Sequence, residues 1–211
     1  MSSRNETTVP RKRMTAAGRR EVIEQAATRV FAELGYRGAS IEAIARESGV
    51  TPPVFYDHFS SKRELHQRLI ARHYAELRDV WSRNATTDEP TSTWMPRAID
   101  AWFAYVESHP YAGRMLFRDT TGDPQIEAAH REIQRQSRAS LLPLMPATPS
   151  AHTSTAEDDL IAEMAWEVLR AALQGLALWW YEHPDVPREH VVATAMNTIW
   201  IGFDRFFGGK E

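Results

Sequence analysis

The stretch TPPVFYDHFSSK, residues 51–62, sets a hydroxyl (Thr51), a phenol (Tyr56), an imidazole (His58) and an ammonium group (Lys62) around two apolar rings, Phe55 and Phe59. Each of these four polar groups can donate a hydrogen bond. The spacing of Tyr56, His58 and Lys62 suits the oxygens of a phosphate backbone, contacts that position a protein without reading sequence. Thr51, Pro52, Pro53 and Val54 offer one hydroxyl and bare apolar surface. That surface suits a thymine methyl better than a bidentate contact to guanine.

Catalytic chemistry finds no such grouping. The chain has no cysteine, which removes disulfides, thiolate zinc sites and a cysteine nucleophile. Its eight histidines include no pair at metal-ligand spacing with a carboxylate between them. There is no glycine loop to cradle a phosphate and no nucleophile elbow. His109-Pro110 and His183-Pro184 read as helix ends, where histidine favours the carbonyls and the dipole. The expectation is no enzyme, no cofactor and no metal.

The elements that must carry residues 51–62 are helices. Val22, Ile23, Ala26, Ala27, Val30, Phe31 and Leu34 recur at spacings of three and four and stop at Gly35. Ser40 can cap a short helix bearing Ile41, Ile44 and Ala45, which Gly49 ends. Thr51 is placed to cap the next. Pro52 and Pro53 then take its first two positions, where N–H groups have no intrahelical partner. The two prolines start this helix rigidly and do not break it. Ala45 lets two helices approach closely and Gly49 permits the turn between them, while Ile44, Val50 and Phe55 fill the gap. The pattern is a helix-turn-helix, whose second helix enters the major groove with its N-terminal residues at base edges.

Ser61 and Glu64 form a capping box that opens a long helix, 61–83, a rod of about 33 Å. Further helices read at about 94–108, 111–118 and 124–145. After the loop PATPSAHTST, a second capping box at Ser154 and Glu157 starts a helix to about 182, and Pro187 starts the last, to about 207. No segment alternates as a strand does. The fold class is all-α.

Charge and tryptophan divide the chain. Through Lys62 there are ten basic and seven acidic residues; the remainder has fifteen basic and twenty-one acidic. All seven tryptophans lie beyond residue 80. A basic quarter on an acidic body implies that one end meets a polyanion. The expected organisation is a flexible basic arm at 1–14, a helix-turn-helix domain at 15–62 with a linking helix to about 83, and a second domain at 84–211. Contact of the arm with DNA stays open. Nothing in the sequence is apolar enough to span a bilayer and no secretory leader opens it, so no membrane and a cytoplasmic setting are expected.

IEAIARESGV, then a short helix ending in FYDHF, then SSKREL opening a long helix, resembles the N-terminal DNA-binding domain of the TetR family of bacterial transcriptional regulators. The likeness is close over about residues 15–66. It implies that Ser40, Thr51, Tyr56, His58 and Lys62 contact double-stranded DNA, with Pro53 and Val54 near bases. The doubled proline stands where family members commonly carry a small or polar residue. For the rest, the resemblance implies helices packed around a ligand pocket and a homodimer.

In the body, Trp102, Phe103, Val106, Met115, Leu116, Phe117, Met145, Met164 and Gln174 are the candidate lining of a pocket for a small hydrophobic or aromatic effector. Arg114, Arg118, Asp119 and His130 are further polar candidates. The last two helices are apolar over most of their circumference, so a symmetric interface between two copies should cover them, through Leu173, Leu176, Trp180, Met196, Trp200 and Phe203. The reading is a ligand-responsive regulator that represses from a palindromic operator. Two others stay open: a ligand-independent structural DNA-binding protein on the same fold, and a helical ligand-binding protein or enzyme with a vestigial DNA-binding domain.

Overall fold

The computed structural model describes residues 14–86, 88–118, 123–141 and 155–200, and every regular element among them is helical. Residues 1–13 of the arm, Asp119, Met145, Ser154 and Phe203 lie outside the described residues, as do the side chains of Glu157 and Trp200.

Helix α1 (Ala16–Gly38) is capped by Thr15, whose Oγ1 accepts the Gly18 N–H at 3.1 Å. It buries Ile23, Ala27, Val30 and Phe31. Leu34, expected on this stripe, is exposed. Gly35 leaves helical geometry at φ 69° and ψ 170°, so the periodic part ends where the glycine predicts and one short turn follows. Helix α2 (Ile41–Ser48) is capped by the Ser40 side chain and closed by Gly49 in the left-handed region at φ 67°. Helix α3 (Pro52–Tyr56) carries prolines at its first two positions. Its expected side-chain cap does not form: Thr51 stands at the cap position without a hydrogen bond to the helix. Pro53 has no N–H to offer, which removes one of the two usual targets of such a cap.

Helix α4 (Lys62–Asn84) has the expected capping bond, Glu64 N–H to Ser61 Oγ at 3.1 Å. The reciprocal arm shifts by one residue, because the Glu64 carboxylate takes the Ser60 N–H and hydroxyl at 2.6 and 2.8 Å. Helices α5 (Thr91–Ser108), α6 (Pro110–Phe117), α7 (Pro124–Leu141) and α8 (Thr155–Glu182) follow. Helix α9 (Arg188–Ala195) passes into a π-helical turn at Met196–Trp200, where one continuous α-helix was expected.

Helix α1 packs on α2, α4 and α6, while α4 also packs on α5 and α7. Helix α6 meets α8, and α5 meets α9. One hydrophobic cluster runs from Ile23, Phe55 and Leu65 through Leu77 and Trp81 to Trp102, Phe103, Trp166 and Trp180. The three-helix unit and the body therefore share a core, with α4 as the common wall. Among the described residues, no helix is long and apolar enough to cross a membrane.

Candidate nucleic-acid interface and ligand cavity

The small core under α3 fixes which side chains face outward. Phe55 and Phe59 are fully buried and in contact, ring centroids 5.6 Å apart. Tyr56, next along the helix, is turned out and 56% exposed. Thr51 and Pro53 are also exposed, Val54 and His58 half-buried. These five form one outward face at and after the helix start, with the donors and apolar surface the sequence suggested. Ser40 lies at the start of α2, its Oγ accepting the Ala43 N–H at 3.1 Å while its hydroxyl hydrogen remains available to donate.

Lys62 has a more internal occupation than a backbone-phosphate contact requires. Its Nζ donates to the carbonyl oxygens of Tyr36 at 2.8 Å and Ala39 at 2.7 Å, and sits 4.3 Å from the Tyr36 ring centroid. Partial burial lowers its pKa. A cation at the N-terminal turn of α4 opposes that helix's dipole, and the carbonyls that end α1 supply the compensating negative charge. One of its three N–H donors remains for an outside oxygen.

Charged contacts tie this unit to the rest. Glu24 of α1 is 2% exposed and pairs with Arg68 and Arg72 of α4, both at 2.6 Å. Arg29 links α1 to α2 through Glu47 at 2.8 Å and lies over the Tyr111 ring of α6. Arg63, at the start of α4, reaches Asp123 at 3.1 Å and Gln125 at 2.6 Å at the start of α7.

The body holds two adjoining chambers. The apolar one, of about 60 Å³, is lined by Leu77, Trp81, Trp102, Trp166, Leu169 and Leu173 with Tyr74 at its edge. The other, of about 340 Å³, is lined by His66, Ile70, Met115, Leu116, Ile126 and His130 with Arg118, Glu127 and Arg131. Phe117, Gln134, Arg170 and Gln174 line both and form the wall they share. The wall on the α4 side is His66, Ile70, Tyr74, Leu77 and Trp81, one stripe at spacings of three and four. Tyr74, His130 and Gln134 are mutually hydrogen-bonded, with Tyr74 Oη 2.9 Å from His130 Nε2 and 3.1 Å from Gln134 Nε2. Burial raises the Tyr74 pKa and lowers that of His130.

Of the expected pocket residues, Trp102, Met115, Leu116, Phe117 and Gln174 do line these chambers. Phe103 does not; it is fully buried between Trp102 and Trp180 as packing. Val106 faces a separate cleft with Arg114 and Tyr181. Met164 is 53% exposed on α8. The sequence reading missed the α4 wall. His66, Tyr74 and Trp81 lie on the stripe that Leu65, Leu69 and Leu77 make visible, but a polar side chain on such a stripe shows its neighbour only after folding.

The expected dimer residues divide in the same way. Leu173 and Trp180 are buried in the chain's own core, the Trp180 Nε1–H donating to the Val186 carbonyl at 2.8 Å. Leu176 and Met196 are half-buried against that core. The apolar groups α8 leaves in the open are Leu160, Met164, Val168 and Trp179, with Val168 65% exposed. Gly175 stands with them, and a Cβ there would meet nothing within 4 Å. At 3.6 residues per turn these positions share one face.

Three helices with a helix-turn-helix at α2–α3, joined through α4 to an all-helical body, define the class of helix-turn-helix DNA-binding proteins. Residues 23–69 match the family model of bacterial regulatory proteins of the tetR family, a match that covers the helix-turn-helix unit and the start of α4. The transcriptional activator FasR of Mycolicibacterium smegmatis is 34% identical over 104 residues, 49% of this chain and 48% of that protein. The chain thus spans about half the length of the curated relatives it matches. The fold is also that of the fatty acid degradation regulator FadR of Bacillus halodurans, with a TM-score of 0.70 at 15% identity over 94% of this chain and 97% of that one. FadR of Bacillus subtilis in complex with stearoyl-CoA gives 0.65 at 14% identity over 90% and 99%.

Proposed function

We propose that the chain is a ligand-responsive transcriptional regulator that represses from a palindromic operator and is released by a small hydrophobic molecule. The observation that carries this reading is the double role of α4. Its first residue, Lys62, holds the end of α1, and further along the same helix His66, Tyr74, Leu77 and Trp81 line the chambers. A ligand that binds one setting of α4 better than another shifts the population of DNA-competent molecules, by no more than its differential affinity. One FadR neighbour is a fatty acid degradation regulator and the other is in complex with stearoyl-CoA, which makes a fatty-acyl group the first effector to try. The exposed face of α8 supports a homodimer through α8 and α9. Such a dimer would set two recognition helices about 34–36 Å apart, one turn of DNA.

Selection of genomic fragments by the purified protein at near-physiological salt, followed by footprinting, tests the reading. A protected inverted repeat is expected. Binding without sequence preference that vanishes steeply with salt would reduce the protein to phosphate contacts and overturn the repressor. The likeness to FasR, an activator, favours a second mode. Transcription in vitro from a promoter carrying the footprinted site separates the two by the sign of the effect.

A further inference from the structure

The larger chamber carries a chemical preference that an apolar effector alone does not use. Arg118, Arg131 and Arg170 line it against one carboxylate, Glu127. Arg170 is committed to Glu167, with Nη2 2.7 Å from the carboxylate. Among the described residues, Arg118 donates one long hydrogen bond, 3.4 Å to the Ala32 carbonyl of α1, and Arg131 makes no ion pair. His66 lines the same chamber, is only 4% exposed, and its Nδ1 is buried without a hydrogen-bond partner among the described residues. A buried polar atom left unpaired is costly, so a partner at this position would be stabilising. The ring of His66 also stands edge-on to two rings of α1, Phe31 at 4.8 Å and Tyr36 at 5.0 Å. The Tyr36 carbonyl is one of the two that Lys62 holds.

We propose that this chamber is a head-group site. It takes the anionic head of an amphiphile whose apolar body lies along Ile70, Met115 and Leu116 with its end at the tryptophan-lined chamber, with Arg131 and Arg118 supplying charge and His66 the buried hydrogen bond. Occupancy then bears directly on α1, through the His66 ring against Phe31 and Tyr36 and through Arg118 at the Ala32 carbonyl. Neutral compounds of the same shape make the same apolar contacts but leave the arginines without a counter-charge. This inference rests on the effector-responsive reading for its regulatory consequence, though not for its binding preference.

Trp81, Trp102 and Trp166 provide a readout that needs no DNA. Quenching of their fluorescence is titrated with dodecanoate, dodecanoyl-CoA and dodecanol at neutral pH. The wild-type protein should bind an anionic compound about tenfold or more tightly than the alcohol, as charge-assisted hydrogen bonds imply. Whether the free acid or the thioester binds better identifies which source of anionic head the site takes. The Arg118→Gln/Arg131→Gln protein should lose most of that preference with dodecanol affinity unchanged. His66→Gln, checked for folding by circular dichroism, should weaken the anionic compounds selectively. Equal binding of acid, thioester and alcohol by the wild type overturns the site, as does full preference in the arginine double variant, or no binding of any anionic compound. If the preference holds but no compound releases the footprinted DNA, the head-group site stands and the effector-responsive reading falls.

Discussion

The exposed apolar groups of α3 and those of α8 differ in the company they keep. At α3, Tyr56 and Pro53 stand out among Thr51, His58 and the Ser40 hydroxyl, with Lys62, Arg68 and Arg72 binding the unit from behind. On α8, Leu160, Met164, Val168 and Trp179 share a face with the open Gly175. An apolar patch mixed with donors fits a wet, charged partner whose base edges carry some apolar surface. A bare apolar stripe fits another bare stripe. The first face is held by hydrogen bonds and ion pairs and should respond to pH and to loss of single polar atoms. The second should respond chiefly to an inserted charge.

The largest effect is expected on α8. Val168→Asp places two like charges near each other across a symmetric interface. Size-exclusion chromatography with light scattering should show a monomer. Operator affinity should fall about hundredfold or more, because a second half-site no longer adds effective concentration. A dimer with unchanged affinity would mean that this face serves something else.

Next is the anchoring of the DNA-reading unit. Glu24→Ala strands the arginines that converge on a nearly buried carboxylate and should cost about 3 kcal/mol in denaturant unfolding. Insensitivity there would show that the shared apolar core and the Lys62 hydrogen bonds hold α1 to α4 without it.

The pH response follows from the buried histidines. Burial, with His130 and Lys62 nearby, lowers the His66 pKa from 6.5 to about 4, and burial beside Arg72 does the same to His73. A depressed histidine pKa means that the unfolded chain takes up the proton first. The stability from keeping His66 neutral is therefore complete above about pH 6.5 and is lost as pH falls towards 4, by up to about 3 kcal/mol. Melting curves from pH 7 to pH 4 should show it, and His66→Gln should flatten that limb.

Smaller effects separate contact from support. Tyr56→Phe removes one hydroxyl from an exposed ring and should weaken operator binding about tenfold with an unchanged melting temperature. A change in melting temperature with no change in binding would reverse that assignment. Among the caps, Ser61→Ala should cost about 1 kcal/mol. Thr51→Ala should leave stability within about 0.5 kcal/mol, since its side chain caps nothing. Equal costs at the two positions would mean that Thr51 does cap α3 in solution.

The legible parts were those fixed by neighbours in the chain. Gly35 and Gly49 ended helices because a positive φ is cheapest for glycine, and Pro52 and Pro53 started one because N–H groups there have no partner. The apolar spacing of 22–31 gave α1 its buried stripe. Lys62 shows the limit: its type and place in the first turn called for negative charge, and the sequence suggested a phosphate. Folding brought the carbonyls of Tyr36 and Ala39 to the same spot. Met164 and Leu173 mark it again. Both are apolar residues of α8 on the same periodic background, yet one is open to solvent and the other is core.

By itself, then, the sequence determined an all-helical chain, a helix-turn-helix at 40–62 and the side chains α3 turns outward, because all of these depend on caps, turns and periodicities within a few residues. Only the tertiary structure decided which face of α8 is bare, that His66 is buried against α1 in the wall of a basic chamber, and that α4 serves both ends of the molecule. Those facts depend on which helices lie opposite one another, and a periodic pattern states that a face is covered without stating by what.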